Sequence, residues 1–428
     1  MKTIEVPALA RVEGEGGLYI GLKDGGAVEV RLDIYEPPRF FEGFLVDRYF
    51  QEVPDITARI CGICPVAYQM SSVTALENAL GVEVSPQTYA LRRLMSAGEF
   101  IESHALHIYM LQAPDLLGVP SALELAVIAP QVVKNALRMK KIGNAILSAI
   151  GGRSVHPVNA CVGGFYRWPD VAPLKAMLPD LEWALEAAKE TVNWSLTLPY
   201  PDLDLDYEFV ATHHTDEYGI IKGKVWSSKG SQLSLSEYET RYLEEQVRHS
   251  NALHSHTKEG GTYIVGPLAR LNLNHEQLLP EAKKALQGSG IKLPITNPYK
   301  SLIARAIELV QSYEEAIQLI KAYDPTGPAH LQLKLREGEG TGASEAPRGL
   351  LYHRYKIDAQ GLIKFAKITP PTAQNLPRIE EDLRALAPKL AEMSQEMATL
   401  TAEQLVRSYD PCISCATHFL KLKIEEIA

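Results

Sequence analysis

Two cysteine pairs with the same spacing are the part of this sequence best suited to chemistry. Cys61 and Cys64 form one C-x-x-C motif early in the chain, and Cys412 and Cys415 form a second one near its end. This spacing lets both sulfurs of a pair face one side, so two pairs can supply four thiolates to a soft metal. The sequence therefore indicates one metal centre with four sulfur ligands.

Spacing alone leaves two other uses of these cysteines open. In a zinc ribbon the pairs lie roughly 15 to 20 residues apart, whereas most of this chain separates Cys64 from Cys412. A single C-x-x-C is more often redox-active or half of a zinc site. The long separation disfavours a local zinc module, and a four-thiolate zinc site built from both pairs stays as an alternative.

The elements that must position the two motifs are mostly helical. Apolar residues recur at helical spacing in five segments: 86–111, 121–150, 171–196, 298–323 and 377–409. Strand-like alternation occurs in three regions: the first 35 residues, with a turn at Asp24–Gly26, short runs within 205–270, and 350–368. The Gly-rich segment 338–344 is interpreted as a short loop. The pattern predicts a mainly α fold with small β accessories (α+β).

We expect a single large domain with recognisable parts rather than separate modules. The parts, in chain order, are a β hairpin with the first cysteine motif (1–60), core helices (86–200), a mixed α+β lobe (205–270), and helices and strands with the second motif (298–418). No internal repeat or long low-complexity linker divides them.

Composition and charge exclude several classes of function. With 46% hydrophobic and 22% charged residues, the chain has the composition of an ordinary globular protein. Its net charge of −9 makes nucleic acid an unfavourable partner. It has no uncharged apolar run long enough to span a membrane and no secretory signal, so we expect a cytoplasmic protein. The Gly-rich segment also lacks the Lys-Ser/Thr ending of a phosphate-binding loop.

The two motifs belong to a set of segments that runs nearly the length of the chain. The set comprises Arg11–Glu15 (RVEGE), Pro38–Glu42 (PRFFE), Arg59–Cys64 (RICGIC), Glu102–His107 (ESHALH), Gly151–Pro157 (GGRSVHP), Glu345–Gly349 (EAPRG), Thr369–Thr372 (TPPT) and Asp410–His418 (DPCISCATH). With these segments the sequence resembles the large, catalytic subunit of nickel-iron hydrogenases. The resemblance is greatest to the cytoplasmic type linked to NADP or NAD, also called sulfhydrogenase, and it implies a core of long helices.

The resemblance implies a nickel-iron centre. Cys61 and Cys412 would be terminal nickel ligands, and Cys64 and Cys415 would bridge nickel and iron. Two cyanides and one carbon monoxide would complete the iron, and proteins that insert the metals would have to build the site. Heterolytic cleavage of dihydrogen needs a Lewis acid for the hydride and a base for the proton, and soft thiolates suit low-valent nickel and iron.

Four more residues match positions around that centre. Glu13 would relay protons beside a terminal cysteine, and its alternative is a surface salt bridge. Arg348 would hold a cyanide nitrogen above the metals, and its alternative is an ion pair between lobes. Asp410 and Thr372 would add hydrogen bonds, although Asp-Pro and Pro-Thr also serve turns and caps.

The resemblance also implies a third metal ion, magnesium or ferrous iron. Glu42 and His418 would be its side-chain ligands, and the backbone carbonyl of Ile368 would be a third ligand. Three histidines in similar contexts are assigned supporting roles, because a helical histidine is more often a core hydrogen-bonder than a ligand: His104, His107 and His156.

Electron transfer implies partners. Only Cys161 remains beyond the two motifs, and one thiol cannot hold an iron-sulfur cluster that needs four ligands. Resemblance implies an iron-sulfur small subunit, further flavin and iron-sulfur subunits that reduce NAD(P)+ or polysulfide, and a maturation endopeptidase that removes residues 419–428 after His418. The alternative from another class is a non-catalytic proton-coupling subunit of a respiratory complex, which lacks the four cysteines.

Three positions depart from common family patterns. Tyr68 replaces a histidine, which removes a stronger base. Ser103 replaces an aspartate, although Glu102 precedes it, and Glu15 replaces a histidine. Tyr68 predicts altered oxygen sensitivity or catalytic bias near Cys64, Ser103 predicts one carboxylate fewer near the metals, and Glu15 is compatible with the cytoplasmic type.

Overall fold

Helices are the most common secondary structure of the chain, as its apolar periodicity predicts. The computed structural model describes residues 2–418, so the predicted extension 419–428 lies outside the described residues. The helices are α1 (Phe41–Leu45), α2 (Val53–Ala58), α3 (Pro65–Leu80), α4 (Pro86–Leu106), α5 (Ala113–Leu116), α6 (Ala122–Ile128), α7 (Pro130–Gly151), α8 (Val171–Ala176), α9 (Leu178–Ser195), α10 (Tyr238–Arg241), α11 (Pro267–Asn274), α12 (Pro280–Gly288), α13 (Ser301–Ala322), α14 (Pro371–Glu392), α15 (Gln395–Ser408) and α16 (Ile413–Ala416).

The strands form small antiparallel sheets around this helical body. They are β1 (Lys2–Val6), β2 (Gly16–Lys23), β3 (Gly26–Ile34), β4 (Ala160–Cys161), β5 (Gly164–Phe165), β6 (Val210–His213), β7 (Lys224–Ser227), β8 (Gln232–Leu233), β9 (Tyr242–Gln246), β10 (Leu253–Thr257), β11 (Gly338–Ala346), β12 (Gly349–Ile357) and β13 (Ile363–Thr369). Sheets of three strands have the orders β1-β2-β3, β6-β7-β8 and β11-β12-β13. The predicted α+β class is confirmed.

The core is a bundle in which α4 packs against α7 and α13, and α13 packs against α9. Nearly every residue of α13 is buried, so this helix forms the centre of the bundle. The segment predicted as one helix over 121–150 is two helices, because Pro130 has no backbone N–H to continue the first of them. None of the helices within residues 2–418 combines the length and apolar character needed to cross a membrane.

The predicted N-terminal hairpin is part of a larger sheet. β2 and β3 pair as the alternation predicts, and β1 adds a strand on the other edge of β2, from Lys2 opposite Leu22 to Val6 opposite Leu18. Almost all of β2 is buried. As the central strand of this sheet, β2 has backbone hydrogen-bond partners along both of its edges.

The interpretation of 338–344 as a loop was wrong, because this segment belongs to strand β11. Its glycines permit a close contact with helix α3, which directly follows the first cysteine motif. A Cβ on Gly340 would lie 2.1 Å from the carbonyl oxygen of Ala75, and one on Gly342 would lie 2.4 Å from the Ala75 nitrogen. The glycines therefore serve helix-strand packing rather than a turn.

Helix α14 begins at Pro371 rather than at 377, and α15 ends at Ser408, directly before the second motif. The start of α14 and the end of α15 both lie beside that motif. The two C-x-x-C segments are thus each anchored by a helix end: the first by the start of α3, the second by the end of α15 and the start of α14.

Candidate metal centre

The four cysteines of the two motifs meet at one buried point. The sulfurs of Cys61, Cys64, Cys412 and Cys415 all lie within 4.8 Å of one another. Each thiol of the first motif faces one of the second, with Sγ–Sγ distances of 3.5 Å from Cys61 to Cys412 and 3.8 Å from Cys64 to Cys415. All four are free cysteines. Four soft donors this close form a site suited to a soft metal centre.

The four thiols can all lose their protons only if a cation is bound among them. Hydrogen bonds from neighbouring thiols, chiefly that of Cys412, lower the pKa of Cys61 well below its ordinary value. Burial raises the pKa of Cys412 well above it. Several negative charges cannot share one buried point without a positive partner, so full deprotonation of the cluster requires a metal.

The first motif is held at the start of α3. The backbone N–H groups of Ile63 and Cys64 donate to the Cys61 sulfur at 3.3 and 3.4 Å. Buried Glu99, on α4, accepts hydrogen bonds from the N–H groups of Val66 at 2.6 Å and Ala67 at 3.1 Å. Glu99 thus binds the otherwise unpaired donors of the first turn of α3, which fixes the turn that carries the cysteines.

Arg39 joins the two motifs and was not singled out from the sequence. Its guanidinium donates to the Ile60 carbonyl at 2.8 Å and to the Ser414 carbonyl, one from each motif. Its backbone N–H donates to the carbonyl of Thr417 at 2.7 Å. The several donors of arginine suit it to bridge segments that lie far apart in sequence.

Glu13 lies directly beside the second motif. The Cys412 thiol donates to Oε2 of Glu13 at 3.0 Å, and the backbone N–H of Ser414 donates to the same oxygen at 3.1 Å. The Glu13 carbonyl accepts from the N–H of Ile413 at 2.9 Å. Glu13 is partly exposed whereas Cys412 is fully buried, so this carboxyl group links a buried sulfur to the protein surface.

Arg348 and Asp410 form a buried ion pair next to the cysteines. Arg348 Nε donates to the Asp410 carbonyl at 2.9 Å, and Nη2 donates to Oδ1 at 3.0 Å. Burial acts against ionisation of Asp410, but the charge and hydrogen bond of Arg348, together with other nearby groups such as Arg305, hold the pKa of Asp410 below its ordinary value. Within residues 2–418, buried Nη1 of Arg348 has no hydrogen-bond partner. An acceptor bound beside Arg348 would satisfy this donor.

The turn that carries Arg348 is braced by Arg270, a second residue that the sequence analysis missed. Fully buried Arg270 donates to the carbonyls of Ala346 at 2.8 Å and Pro347 at 2.9 Å, the two residues directly before Arg348. Glu308 accepts from the same guanidinium at 2.6 and 2.8 Å. This network fixes the backbone from which the Arg348 side chain extends.

Thr372 contacts the second motif through its hydroxyl. The backbone N–H of Cys412 donates to Thr372 Oγ1 at 2.9 Å. Thr372 stands in the first turn of α14, so this bond ties the cysteine to the start of a long helix. The structure therefore brings Glu13, Arg348, Asp410 and Thr372 around the four cysteines.

The residues expected to hold a third ion also lie together. His418 Nε2 is 2.7 Å from the Ile368 carbonyl and 3.7 Å from Glu42 Oε1, and the Ile368 N–H donates to that same oxygen at 2.8 Å. Glu244, which the sequence analysis missed, faces this group, and its burial raises its pKa. An imidazole, carboxylates and a backbone carbonyl together suit a hard divalent cation.

The three supporting histidines all bond to groups other than the cysteines. His104 Nε2 pairs with Glu308 at 2.8 Å, and burial lowers the pKa of His104 to about 4. His107 Nε2 lies 2.9 Å from the Arg407 carbonyl, and burial lowers its pKa to about 3. His156 Nδ1 lies 2.8 Å from the carbonyl of Ala58. The first two are therefore neutral at physiological pH.

Two of the three family-divergent positions, Tyr68 and Ser103, are buried, whereas Glu15 is exposed. The hydroxyls of Tyr68 and Ser103 have no hydrogen-bond partner within residues 2–418. Burial raises the pKa of Tyr68 well above its ordinary value, and the nearby cysteines add to that effect. Glu102 pairs with Lys140 at 2.6 Å, and burial raises the pKa of Glu102. Tyr68 is accordingly a neutral residue at the metal site.

Comparison with known proteins assigns the family. The model of the family described as "Nickel-dependent hydrogenase" matches residues 39–135 and 237–418, which include all four cysteines of the cluster. The chain is 35% identical over 424 residues to sulfhydrogenase 1 subunit alpha of Pyrococcus furiosus, covering 98% of each chain. The chain belongs to the nickel-dependent hydrogenase family. The prediction from its motifs is confirmed.

Two further matches extend the nickel-dependent hydrogenase assignment. The chain is 27% identical to NAD-reducing hydrogenase HoxS subunit beta of Cupriavidus necator, covering 98% of this chain and 95% of the relative. The crystal structure of an NAD+-reducing [NiFe]-hydrogenase in the H2-reduced state superposes with a TM-score of 0.88 at 27% identity, covering 98% of this chain and 100% of the other. This hydrogenase chain is therefore a catalytic subunit, an oxidoreductase that acts on dihydrogen, with four cysteines positioned for its metal centre.

Proposed function

We propose that the four cysteines hold a nickel-iron pair, with Cys61 and Cys412 as terminal nickel ligands and Cys64 and Cys415 as bridges to iron. The observation that carries this proposal is the meeting of two C-x-x-C motifs from opposite ends of the chain, within 4.8 Å, in a nickel-dependent hydrogenase. Two cyanides and one carbon monoxide would complete the set of ligands on the iron.

The bound pair supplies the Lewis acid for heterolytic cleavage of dihydrogen, and the protein supplies the remaining functions. Glu13 accepts the proton from the Cys412 sulfur, 3.0 Å away, and passes it toward solvent. Arg348 Nη1, which has no hydrogen-bond partner among the described residues, would donate to a cyanide nitrogen. Asp410 holds that guanidinium, and Thr372 holds the backbone of Cys412.

A magnesium ion, or ferrous iron in its place, is proposed for the third site. Its ligands are Glu42, His418 and the Ile368 carbonyl, and support comes from their short mutual distances and from the buried Glu244 carboxyl group facing them. A divalent cation would neutralise the two carboxylates at this point.

The electron path requires further subunits. Beyond the cluster the chain has only Cys161, so we propose an iron-sulfur small subunit as the immediate electron acceptor. The names of the similar proteins, which are sulfhydrogenase and NAD-reducing hydrogenase subunits, support NAD(P)+ or polysulfide as the final acceptor through flavin and iron-sulfur subunits. We also propose that metal-insertion proteins and an endopeptidase mature the subunit. The proposed location of the complex is the cytoplasm.

Metal analysis with infrared spectroscopy tests the nickel-iron proposal. The complex matured in its native host is expected to contain nickel and iron together and to show the stretching bands of metal-bound cyanide and carbon monoxide. A four-thiolate zinc site predicts stoichiometric zinc, no nickel and no such bands. That second result would overturn the proposal.

Processing of the carboxyl end gives a separate prediction. We expect mass spectrometry of active enzyme to find a chain that ends at His418, and nickel-starved cells to accumulate the chain that retains 419–428. His418 is 1% exposed and its Nε2 already lies 2.7 Å from the Ile368 carbonyl, so cleavage directly after it would leave this proposed ligand as the last residue of the chain. A stop codon after His418 should bypass the endopeptidase but impair nickel loading. Full retention of Ala428 in active enzyme would contradict processing.

A further inference from the structure

A second group of potential metal ligands lies away from the cysteine cluster. His249 and His254 come from the hairpin of β9 and β10, and Glu380 comes from α14. One ring nitrogen of each histidine and one carboxylate oxygen lie within 4.8 Å of one another. His249 Nε2 is 2.8 Å from Glu380 Oε1, and the two imidazole rings are 5.5 Å apart between centroids. We call these three residues the hairpin histidine cluster.

The hydrogen bonds of this cluster leave one buried ring nitrogen without a partner among the described residues. The Glu380 carboxylate accepts from His249 and from the backbone N–H of Leu32 on β3, at 2.9 Å. His254 is 2% exposed, and its Nε2 has no hydrogen-bond partner among the described residues. A buried imidazole nitrogen without a partner destabilises the fold, and a bound ion would offset that cost.

The side chains of the cluster also suit a cation. The Glu380 carboxylate supplies negative charge, and His249 and His254 can each offer one ring nitrogen close to it. His256, the other histidine of the hairpin, is paired instead with Glu245 at 3.1 Å. The Glu380 carboxylate therefore faces the imidazole rings of His249 and His254.

From this geometry we propose that the hairpin histidine cluster is a binding site for a borderline divalent transition metal ion of the Zn2+ type. Two imidazoles and one carboxylate are a common ligand set for such ions, and they leave a position open for water. Ligand atoms about 2.0–2.2 Å from one tetrahedral ion lie about 3.3–3.6 Å from one another. His249 Nε2 and Glu380 Oε1, now 2.8 Å apart, would therefore separate slightly to admit the ion. The His249 side chain is 23% exposed, which gives the ion a route from solvent.

The ion would clamp elements that are otherwise joined by few polar contacts. It would tie the β9-β10 hairpin to α14, and through Glu380 to the edge of β3. Helix α14 also carries Thr372, which binds the backbone of Cys412. Thr372 and Glu380 are separated by about 12 Å along the helix axis. The site is thus structurally linked to the cysteine cluster but separate from it.

Zinc binding to the matured complex tests this site, because its four cysteines are already occupied. After equilibration with Zn2+ and removal of free ion, the wild-type complex is expected to hold one more zinc per chain than His254→Gln or His249→Gln. Nickel content should be equal in all of them. His256→Gln is the matched control, since it removes a histidine of the same hairpin, and it should bind zinc as the wild type does.

Cobalt gives a second readout that does not depend on counting ions. Co2+ at two imidazoles and a carboxylate should produce visible absorption without the sulfur-to-cobalt charge-transfer band in the near ultraviolet. Zn2+ should also raise the melting temperature of the wild-type complex but not that of Glu380→Gln. His249→Gln, at a partly exposed position, keeps the test valid if His254→Gln does not fold. Equal zinc in the wild type and both histidine variants would overturn the proposal.

Discussion

A Cys64→Ser chain is expected to contain almost no nickel and to lose hydrogenase activity. Its sulfur lies 3.8 Å from that of Cys415, where we propose a bridge between the two metals. A serine hydroxyl is harder than a thiol and stays protonated at neutral pH, so it replaces a soft bridging ligand poorly. Loss of even an outer hydrogen-bond partner weakens metal binding about 10–100-fold, and loss of a bridge should exceed that. Elemental analysis of the complex purified from its native host measures the effect.

Cys161→Ser is the matched control for this experiment. Cys161 is also buried, but it lies on β4 outside the cluster, and burial raises the pKa of its thiol to about 11. This variant should retain nickel, iron and the infrared bands of the diatomic ligands. Nickel at wild-type occupancy in Cys64→Ser would contradict the proposed ligand set, and nickel loss in both variants would point to a folding defect instead.

The sequence allowed the cysteine cluster to be predicted because its chemistry is carried by residue type and short spacing. Two C-x-x-C motifs identify four candidate thiolate ligands, whatever the positions of the motifs in the fold. That Cys64 faces Cys415, however, depends on helices α3, α14 and α15, and no local pattern gives their arrangement. The spacing was compatible with one shared site, and the resemblance of the whole chain to a known family assigned each cysteine its place in that site before the structure did.

The residues that brace the site were missed for a physical reason. Arg39 joins the two motifs, and Arg270 braces the turn before Arg348, by donating to backbone carbonyls. Every residue has a carbonyl, so these contacts leave no trace in the sequence. Glu244 is one of many acidic residues, and only its burial beside Glu42 and His418 distinguishes it. Long-range packing decides these roles.

The glycines of β11 show the opposite error, in which a local signal was interpreted too simply. Glycine clusters between other elements commonly mark turns. Here Gly340 and Gly342 lie in a strand because α3 approaches the backbone too closely for any side chain. The same contact presses the helix of the first cysteine motif against the strand that leads to Arg348. Close packing between these two elements therefore helps to set the distance between the cysteines and the guanidinium.

The Glu13→Gln variant is expected to keep its metals and to lose most of its hydrogen-deuterium exchange activity. Glutamine has nearly the same size as glutamate and can still accept the backbone N–H of Ser414, now 3.1 Å from Glu13 Oε2. It cannot take up the proton that the Cys412 thiol shares with the carboxylate at 3.0 Å. Removal of a positioned proton acceptor typically slows such a step by about 10²–10⁴-fold. Isotope exchange measured by mass spectrometry tests the variant, with nickel content determined on the same sample.

Glu15→Gln is the matched control, because Glu15 is an exposed carboxylate of the same loop. It should exchange at the wild-type rate, since losing one negative charge from the loop does not interrupt the contact between Glu13 and Cys412. Exchange that stays at the wild-type rate in a fully metallated Glu13→Gln complex would exclude this route. The proton would then have to leave through Arg348 or through Glu102, whose pKa burial raises and whose carboxylate pairs with Lys140 at 2.6 Å. A Glu102→Gln variant would separate those two paths, because it leaves the ion pair of Arg348 with Asp410 intact.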